Sequence, residues 1–87
     1  MGLIWEESTQ ENFEKLIGKV PAVMRSFARD KVTKKIEELL KKSGGMLVTE
    51  KIMVDAFFEA TPFGFHGPMK TDMEAIGLDY TKYGHQR

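Results

Sequence analysis

The feature that most constrains the fold is an amphipathic stretch from Pro21 to Ser43 that contains no other proline. Pro21 suits a first helical position, because its missing N–H would have no partner there. Gly44 and Gly45 follow the stretch, and a glycine in the left-handed conformation commonly closes a helix. We therefore predict one long central helix, onto which the rest of the chain packs.

Apolar residues recur within this stretch at steps of three and four, which is the period of an α-helix. Phe27 lies in the middle of the apolar stripe, so we expect it in the core. The stripe contains Val23, Met24, Phe27, Ala28, Val32, Ile36, Leu39 and Leu40.

A shorter helix is predicted before the central one, from about Thr9 to Ile17. Ser8 and Glu11 have the spacing of a capping box, in which a hydroxyl and a carboxylate each satisfy a free N–H. Gly18 follows and ends the helix. We therefore expect this helix to start at a capped Ser8 and to pack on the central helix.

A third helix is predicted from about Glu50 to Ala60, after a short extended segment at Met46 to Val48. Thr49 is a suitable N-cap for this helix. Apolar residues occupy two of its faces, and a helix that is apolar on more than one side needs more than one partner. One face carries Met53 and Phe57, and the other carries Val54 and Phe58.

The chain after Thr61 is rich in glycine and aromatic residues. We expect Phe63 and Phe65 to fold back onto the Val54–Phe58 side of the third helix and to keep the protein monomeric. The alternative is that Phe63, Phe65 and His66 form a docking segment for a partner. Thr71 and Glu74 repeat the capping-box spacing, which allows a short fourth helix from Asp72 to Ile76.

These signals together predict an all-α fold. It consists of a three-helix domain with a long central helix, a short segment before the third helix, and a C-terminal tail with a short fourth helix. We divide the chain into a helical domain at residues 1–60 and an aromatic, glycine-rich, partly ordered tail at residues 61–87. We find no internal repeat in the sequence.

Composition limits the classes of function. The 13 basic and 13 acidic residues balance, which argues against strong non-specific binding to nucleic acid. The chain has no cysteine, so it has no thiolate nucleophile, and this favours a cytoplasmic protein. Met1 to Glu7 lack the basic start and apolar run of a signal peptide, and we expect no membrane span.

Basic residues on the central helix are candidates for contact with an anion or a partner. Arg25 and Arg29 lie one turn apart, so they could hold a carboxylate or phosphate, or pair with glutamates of the first helix. Lys34 and Lys35 extend this basic face. A solvated face is the simpler interpretation, because nucleic-acid binding usually makes a whole domain basic.

The sequence contains no recognisable catalytic or metal-binding constellation. His66 could ligate the metal of a tetrapyrrole, but a histidine in a loop more often forms ordinary hydrogen bonds. No pair of carboxylates has the arrangement of a catalytic acid and base. We therefore predict no catalytic residue, no metal site and no cofactor, and a protein that does not act as an enzyme alone.

A longer pattern resembles a known family. It resembles the small helical C-terminal domain of the B subunit of light-independent protochlorophyllide reductase, a domain that also occurs as short stand-alone bacterial proteins. The resemblance covers Ile4 to Ala60. The residues that carry it are Trp5, Phe13, Leu16, Val20, Pro21, Arg25, Ala28, Arg29, Glu37, Gly44, Val48, Thr49 and Ala56.

The resemblance implies a helical fold and a background in tetrapyrrole chemistry. The parent enzyme reduces a ring double bond of protochlorophyllide with ATP and iron–sulfur clusters. Its cluster ligands and proton donor lie elsewhere, so no catalytic residue carries over, and Thr33 stands where the family has an acidic residue. The expected function is a non-catalytic interaction domain whose partner is a protein, a second copy or a tetrapyrrole. The alternative is a histone-like module that binds nucleic acid through the central helix.

Overall fold

The computed structural model describes residues 3–87, which form an all-α domain with four helices. Met1 and Gly2, part of the segment in which we expect no signal peptide, lie outside the described residues. The all-α prediction is confirmed. In place of the short fourth helix predicted from Asp72, a ten-residue helix begins at His66. The helices are α1 (Thr9–Gly18), α2 (Arg25–Ser43), α3 (Glu50–Ala60) and α4 (His66–Ala75).

Local signals at the helix ends are confirmed at Thr49 and Gly44 and wrong at Pro21, Ser8 and Thr71. The central helix does not start at Pro21, because residues Ala22–Met24 form a 3₁₀ turn and α2 begins at Arg25. The Thr49 hydroxyl accepts a hydrogen bond from the Ile52 N–H at 3.2 Å, as an N-cap should. Gly44 closes α2 with φ of 71°. Ser8 instead has φ of 69° and makes no side-chain cap, and Thr71 lies inside α4, where its hydroxyl donates to the Gly67 carbonyl. Neither predicted capping box therefore forms.

Two short strands, one before α1 and one before α3, pair with each other. Strand β1 (Ile4–Trp5) pairs in parallel with β2 (Leu47–Val48), with Ile4 opposite Leu47. The extended segment predicted near Met46 to Val48 is confirmed, whereas β1 is a strand that we did not expect. Two residues carry too little pattern to indicate a strand before its partner is known.

The core lies between all four helices; α2 contributes Val32, Ile36 and Leu40 to it, and α4 contributes Met69 and Met73. The prediction for Phe27 is wrong, because its side chain is 59% exposed. The apolar stripe continues along α2, but residues 21–27, which precede α2 and form its first turn, are all exposed. Periodicity gives the direction of a helix face, and it cannot show how far the rest of the protein covers that face.

The C-terminal residues complete the same core by covering Phe58 of α3. The rings of Tyr80 and His66 lie 5.7 Å and 5.2 Å from the Phe58 ring, and His85 stacks on it at 3.9 Å. The prediction that Phe63 and Phe65 cover this side is wrong, because they are 88% and 64% exposed. Histidine and tyrosine rings, which also form hydrogen bonds, take that place.

The two halves of the chain repeat one order of elements. Each half has a short strand, a helix, a 3₁₀ turn and a second helix, with 3₁₀ turns at Ala22–Met24 and Phe63–Phe65. Arg25 and His66, which begin the second helices, are 41 positions apart. Our conclusion that the sequence has no repeat holds for residue identities but not for architecture. A last 3₁₀ helix, Tyr80–Tyr83, follows α4.

Candidate functional site

A proline immediately precedes each of the two 3₁₀ turns, and the two segments have nearly the same backbone. We call residues 20–25 the first proline turn and residues 61–66 the second proline turn. Pro21 has φ and ψ of −51° and 139°, and Pro62 has −56° and 144°. In each turn the proline carbonyl accepts a hydrogen bond from the residue three positions on, at 2.8 Å from Met24 and 2.9 Å from Phe65. Proline fixes φ near the value that this turn requires.

The residue after each 3₁₀ turn donates hydrogen bonds back to the end of the preceding helix. Arg25 donates from Nε to the Val20 carbonyl and from a terminal nitrogen to the Gly18 carbonyl, both at 2.8 Å. These bonds satisfy carbonyls that have no partner near a helix C-terminus. Arg25 therefore holds α1 and α2 together at the first proline turn.

His66 has the corresponding role in the second proline turn. Its Nε2 lies 3.0 Å from the Phe58 carbonyl oxygen and 2.9 Å from the Thr61 carbonyl oxygen. Since both neighbours are acceptors, Nε2 carries the hydrogen and donates to them. This nitrogen is therefore occupied in the folded protein, and it could ligate a tetrapyrrole metal only if these hydrogen bonds broke.

An apolar groove of about 570 Å³ lies between the two proline turns. Its floor includes the buried side chains of Leu16, Val32 and Phe57, while Met24, Phe27 and Phe65 line it as exposed residues. The full lining is Leu16, Lys19, Val20, Pro21, Met24, Phe27, Ala28, Lys31, Val32, Phe57, Ala60, Thr61, Pro62, Phe65, Pro68, Met69 and Asp72.

The lining follows the internal repeat closely. Apart from Val32, every lining residue has its counterpart 41 positions away in the other half, also in the lining. The two halves thus face each other across the groove with equivalent positions. The pairs are Leu16 with Phe57, Lys19 with Ala60, Val20 with Thr61, Pro21 with Pro62, Met24 with Phe65, Phe27 with Pro68, Ala28 with Met69, and Lys31 with Asp72.

Charge breaks this equivalence. The first half supplies Lys19 and Lys31 to the groove, whereas the second half supplies Asp72. The Lys31 ammonium lies 5.5 Å from the centre of the Phe27 ring, where a cation is attracted to the aromatic face. One side of an otherwise apolar groove is therefore positive and the other negative.

Most of the predicted anion-contact residues are engaged within the protein. Arg29 forms a two-pronged ion pair with Glu14, with both N–O distances at 2.7 Å, and its hydrogen bonds lower the pKa of Glu14. This is the pairing with the first helix that the sequence allowed. Lys35 lies 3.0 Å from Glu38 and 3.9 Å from Glu59. Arg25, Arg29 and Lys35 thus have partners inside the domain.

The structure does not bring the predicted site residues into one place. Lys34 lies on an exposed face of α2, in a shallow depression with Glu37, Glu38 and Lys41, away from the groove. Of the three predicted docking residues, only Phe65 lines the groove. Phe63 is an exposed residue of the second proline turn, with its ring 5.5 Å from that of His66.

Sequence reasoning placed Met24 in the apolar stripe and Phe27 in the core, and it did not single out Lys31 as part of a site. One signal was available: Val20-Pro21 and Thr61-Pro62 each follow a predicted helix and precede apolar residues. That similarity indicates two equivalent turns, but it does not reveal that they lie next to each other.

Within residues 3–87, no group of three or more His, Asp or Glu side chains is placed to hold a metal ion. His85 instead pairs with Asp55 at 2.7 Å, and Lys51 pairs with the other Asp55 oxygen at 2.6 Å. None of the helices in the described part of the chain is both long and apolar enough to cross a membrane.

Comparison with known proteins gives a family but no activity. No curated protein and no solved structure matches the chain. The family described as "Protein of unknown function (DUF2621)" matches residues 2–86. This match covers nearly the whole sequence, and the chain belongs to the DUF2621 family.

Proposed function

We propose that the protein is a non-catalytic binding domain and that it binds an apolar partner in the groove between the two proline turns. The observation that carries this proposal is the exposure of Met24, Phe27 and Phe65 around a floor of buried side chains. Contiguous exposed apolar surface in a small protein commonly marks a binding site, because leaving it in water is unfavourable.

The way the proline turns are held supports a preformed site. Arg25 and His66 fix each 3₁₀ turn to the preceding helix, so the apolar side chains of Met24 and Phe65 do not collapse into the core. A site that is already ordered before binding loses little conformational entropy when a ligand arrives. The hydrogen bonds of the turns therefore favour binding without contacting the ligand.

A tetrapyrrole is the first ligand to test, because of the resemblance to the protochlorophyllide reductase domain. The groove volume of about 570 Å³ lies within the usual range for small-molecule sites, roughly 300–1,000 Å³. Its apolar walls suit a flat aromatic ring system. Since His66 Nε2 already donates to two carbonyls, the proposal involves packing of the ring system rather than metal ligation.

Absorption spectroscopy with protochlorophyllide or a metal-free porphyrin tests the proposal. We expect the main absorption band to shift when the full chain is added, and Phe65→Ala to weaken the shift. Phe63→Ala is the matched control, because Phe63 belongs to the same turn but does not line the groove. If the band does not shift at all, the tetrapyrrole version is wrong and a protein partner in the groove remains to be tested.

The nucleic-acid alternative has less support. Exposed Lys34, Lys41 and Lys42 could contact phosphates, but Glu37 and Glu38 lie among them. A gel shift at two salt concentrations distinguishes the alternatives, because phosphate contacts weaken steeply as salt rises. Salt-sensitive binding that depends on these lysines, and not on Phe65, would favour the nucleic-acid interpretation.

A further inference from the structure

We propose that the ligand of the groove is a small amphipathic anion. It would have an apolar body and one carboxylate or similar anionic group, and that group would lie at Lys31. This inference rests on the proposed function, since it assumes that the groove binds a ligand, and it adds the charge and the orientation of that ligand.

The charge difference between equivalent positions is the basis for the orientation. Lys31 and Asp72 occupy matched places in the two halves, and Lys19 is matched by the uncharged Ala60. Apolar walls of similar character give a ligand little reason to choose one direction over the other. An anionic group is attracted on the lysine side and repelled by Asp72, so charge selects one of the two directions.

The Lys31 ammonium is free to meet such a group. Among residues 3–87, no carboxylate lies within 4.0 Å of the side-chain nitrogen of Lys31 or Lys19. The contact of Lys31 with the Phe27 ring keeps the ammonium beside the groove without neutralising it. Lys35, one turn further along α2, differs because glutamates already surround it.

The shape of the groove favours a small molecule over a flat protein surface. The floor is formed by Leu16, Val32 and Phe57, which are nearly inaccessible, while the exposed side chains of Met24, Phe27 and Phe65 stand in the walls. A flat partner would contact the walls and leave the floor uncovered. A compact ligand can reach the floor and contact both walls at once, as small ligands usually do.

Two fluorescent probes that differ only in charge test the inference on the full chain. Anilinonaphthalene sulfonate carries an anionic group, and N-phenyl-naphthylamine has the same ring system without it. Both should bind and fluoresce in the groove, with the anionic probe about three- to fivefold tighter, as expected for an exposed ion pair. Phe65→Ala should weaken both, because it removes a wall that they share.

Charge variants locate the anionic group. Lys31→Gln should abolish the preference for the anionic probe, because the anionic probe should lose more affinity than the neutral one. Lys42→Gln is the matched control, since Lys42 is an exposed lysine near the far end of the same helix. Exchange of the pair, Lys31→Asp with Asp72→Lys, should restore much of the preference that Lys31→Asp alone removes. In the double variant, Asp72→Lys places the lysine at position 72, which is the counterpart of position 31 on the other wall of the groove.

The outcomes of these measurements distinguish failure of the anion inference from failure of the proposed binding groove. Equal affinity for the two probes, unaffected by Lys31→Gln, would overturn the inference and leave the groove as a binding site. Preference for the anionic probe that persists in Lys31→Gln would also overturn it, because the anion would then lie elsewhere. If neither probe binds, or if Phe65→Ala changes neither affinity, both the inference and the proposed function are wrong.

Discussion

The two proline turns have nearly the same backbone but use different side chains to hold it. Arg25 makes its two hydrogen bonds at the surface, whereas His66 makes its bonds half-buried, with its ring against Phe58. A guanidinium remains charged and solvated, while an imidazole can lie among aromatic rings. The comparison shows that the backbone sets the turn and that its surroundings decide which donor holds it.

The helices that follow the turns differ more. α2 runs for 19 residues and supplies its own part of the core, but α4 ends after ten, and Gly77, with φ of 77°, turns the chain. Leu78 and Tyr80 then complete the core from beyond the helix. The first half therefore depends on one continuous element, and the second half depends on a segment that must return to α3.

The largest expected effect is on that returning segment. Tyr80 is almost fully buried, and its hydroxyl donates to Glu74 at 2.5 Å. Tyr80→Ala should lower the free energy of unfolding by about 3–5 kcal/mol, since it leaves a cavity in the core. Tyr80→Phe keeps the ring and should cost only about 1 kcal/mol. Urea denaturation measures both, and equal costs for the two variants would show that the ring is not a core residue.

The next largest effect is expected from removing the side chain that holds each proline turn. His66→Ala should cost about 1–3 kcal/mol, because it leaves two carbonyls without this donor and removes a ring from Phe58. Arg25→Ala should cost less, since water can reach the carbonyls that Arg25 leaves. Thermal melts of both variants test the order. A larger loss for Arg25→Ala would mean that the first proline turn is the one that limits stability.

Alkaline pH should lower the stability of the second half of the chain by ionising Tyr83. Burial and a hydrogen bond to Glu50 raise the pKa of Tyr83 from 10.0 to about 12. The unfolded chain therefore loses this proton first, and the stability that Tyr83 contributes below pH 10 is lost as pH rises through about 12. In melts across this window, Tyr83→Phe should lose less stability than the natural chain. Parallel losses in the two proteins would contradict this assignment.

Acid should lower the stability of the first half by a smaller amount, because it protonates Glu14 and breaks its ion pair with Arg29. The ion pair with Arg29 lowers the pKa of Glu14 below its ordinary 4.5, so its stabilisation is present above that pH and is lost as pH falls through the lowered value. Both side chains are nearly half exposed, and solvent screening limits the contribution to at most ~1 kcal/mol. Glu14→Gln should remove this part of the acid sensitivity, which melts at neutral and acidic pH would detect.

Features determined by neighbouring residues could be predicted from the sequence, and features determined by distant contacts could not. Thr49 and Gly44 were predicted correctly, because a cap depends on one turn of helix. The start of α4 was placed too late, since Gly67 and Pro68 resemble a loop, although proline is tolerated in the first turn of a helix. Phe27 was wrongly assigned to the core, because its exposure depends on the position of α4, which is far away in the sequence.

The groove itself lay beyond sequence reasoning for a related reason. Its walls come from residues 41 positions apart, and of the matched pairs only Pro21 and Pro62 are identical. Arg25 and His66 share a role, although nothing in their chemistry alone suggests it. The equivalence becomes visible only when the backbone places both proline turns side by side.

The most direct test of the central claim is the set of backbone amide chemical-shift changes when either fluorescent probe is added to the full chain. We expect the changes to concentrate on both proline turns and the groove walls, at Met24, Phe27, Phe65 and Met69. A second exposed apolar surface, at Ile4, Met46 and Leu47, provides the internal comparison. Changes confined to that surface, or to one proline turn only, would contradict a binding site built between the two halves.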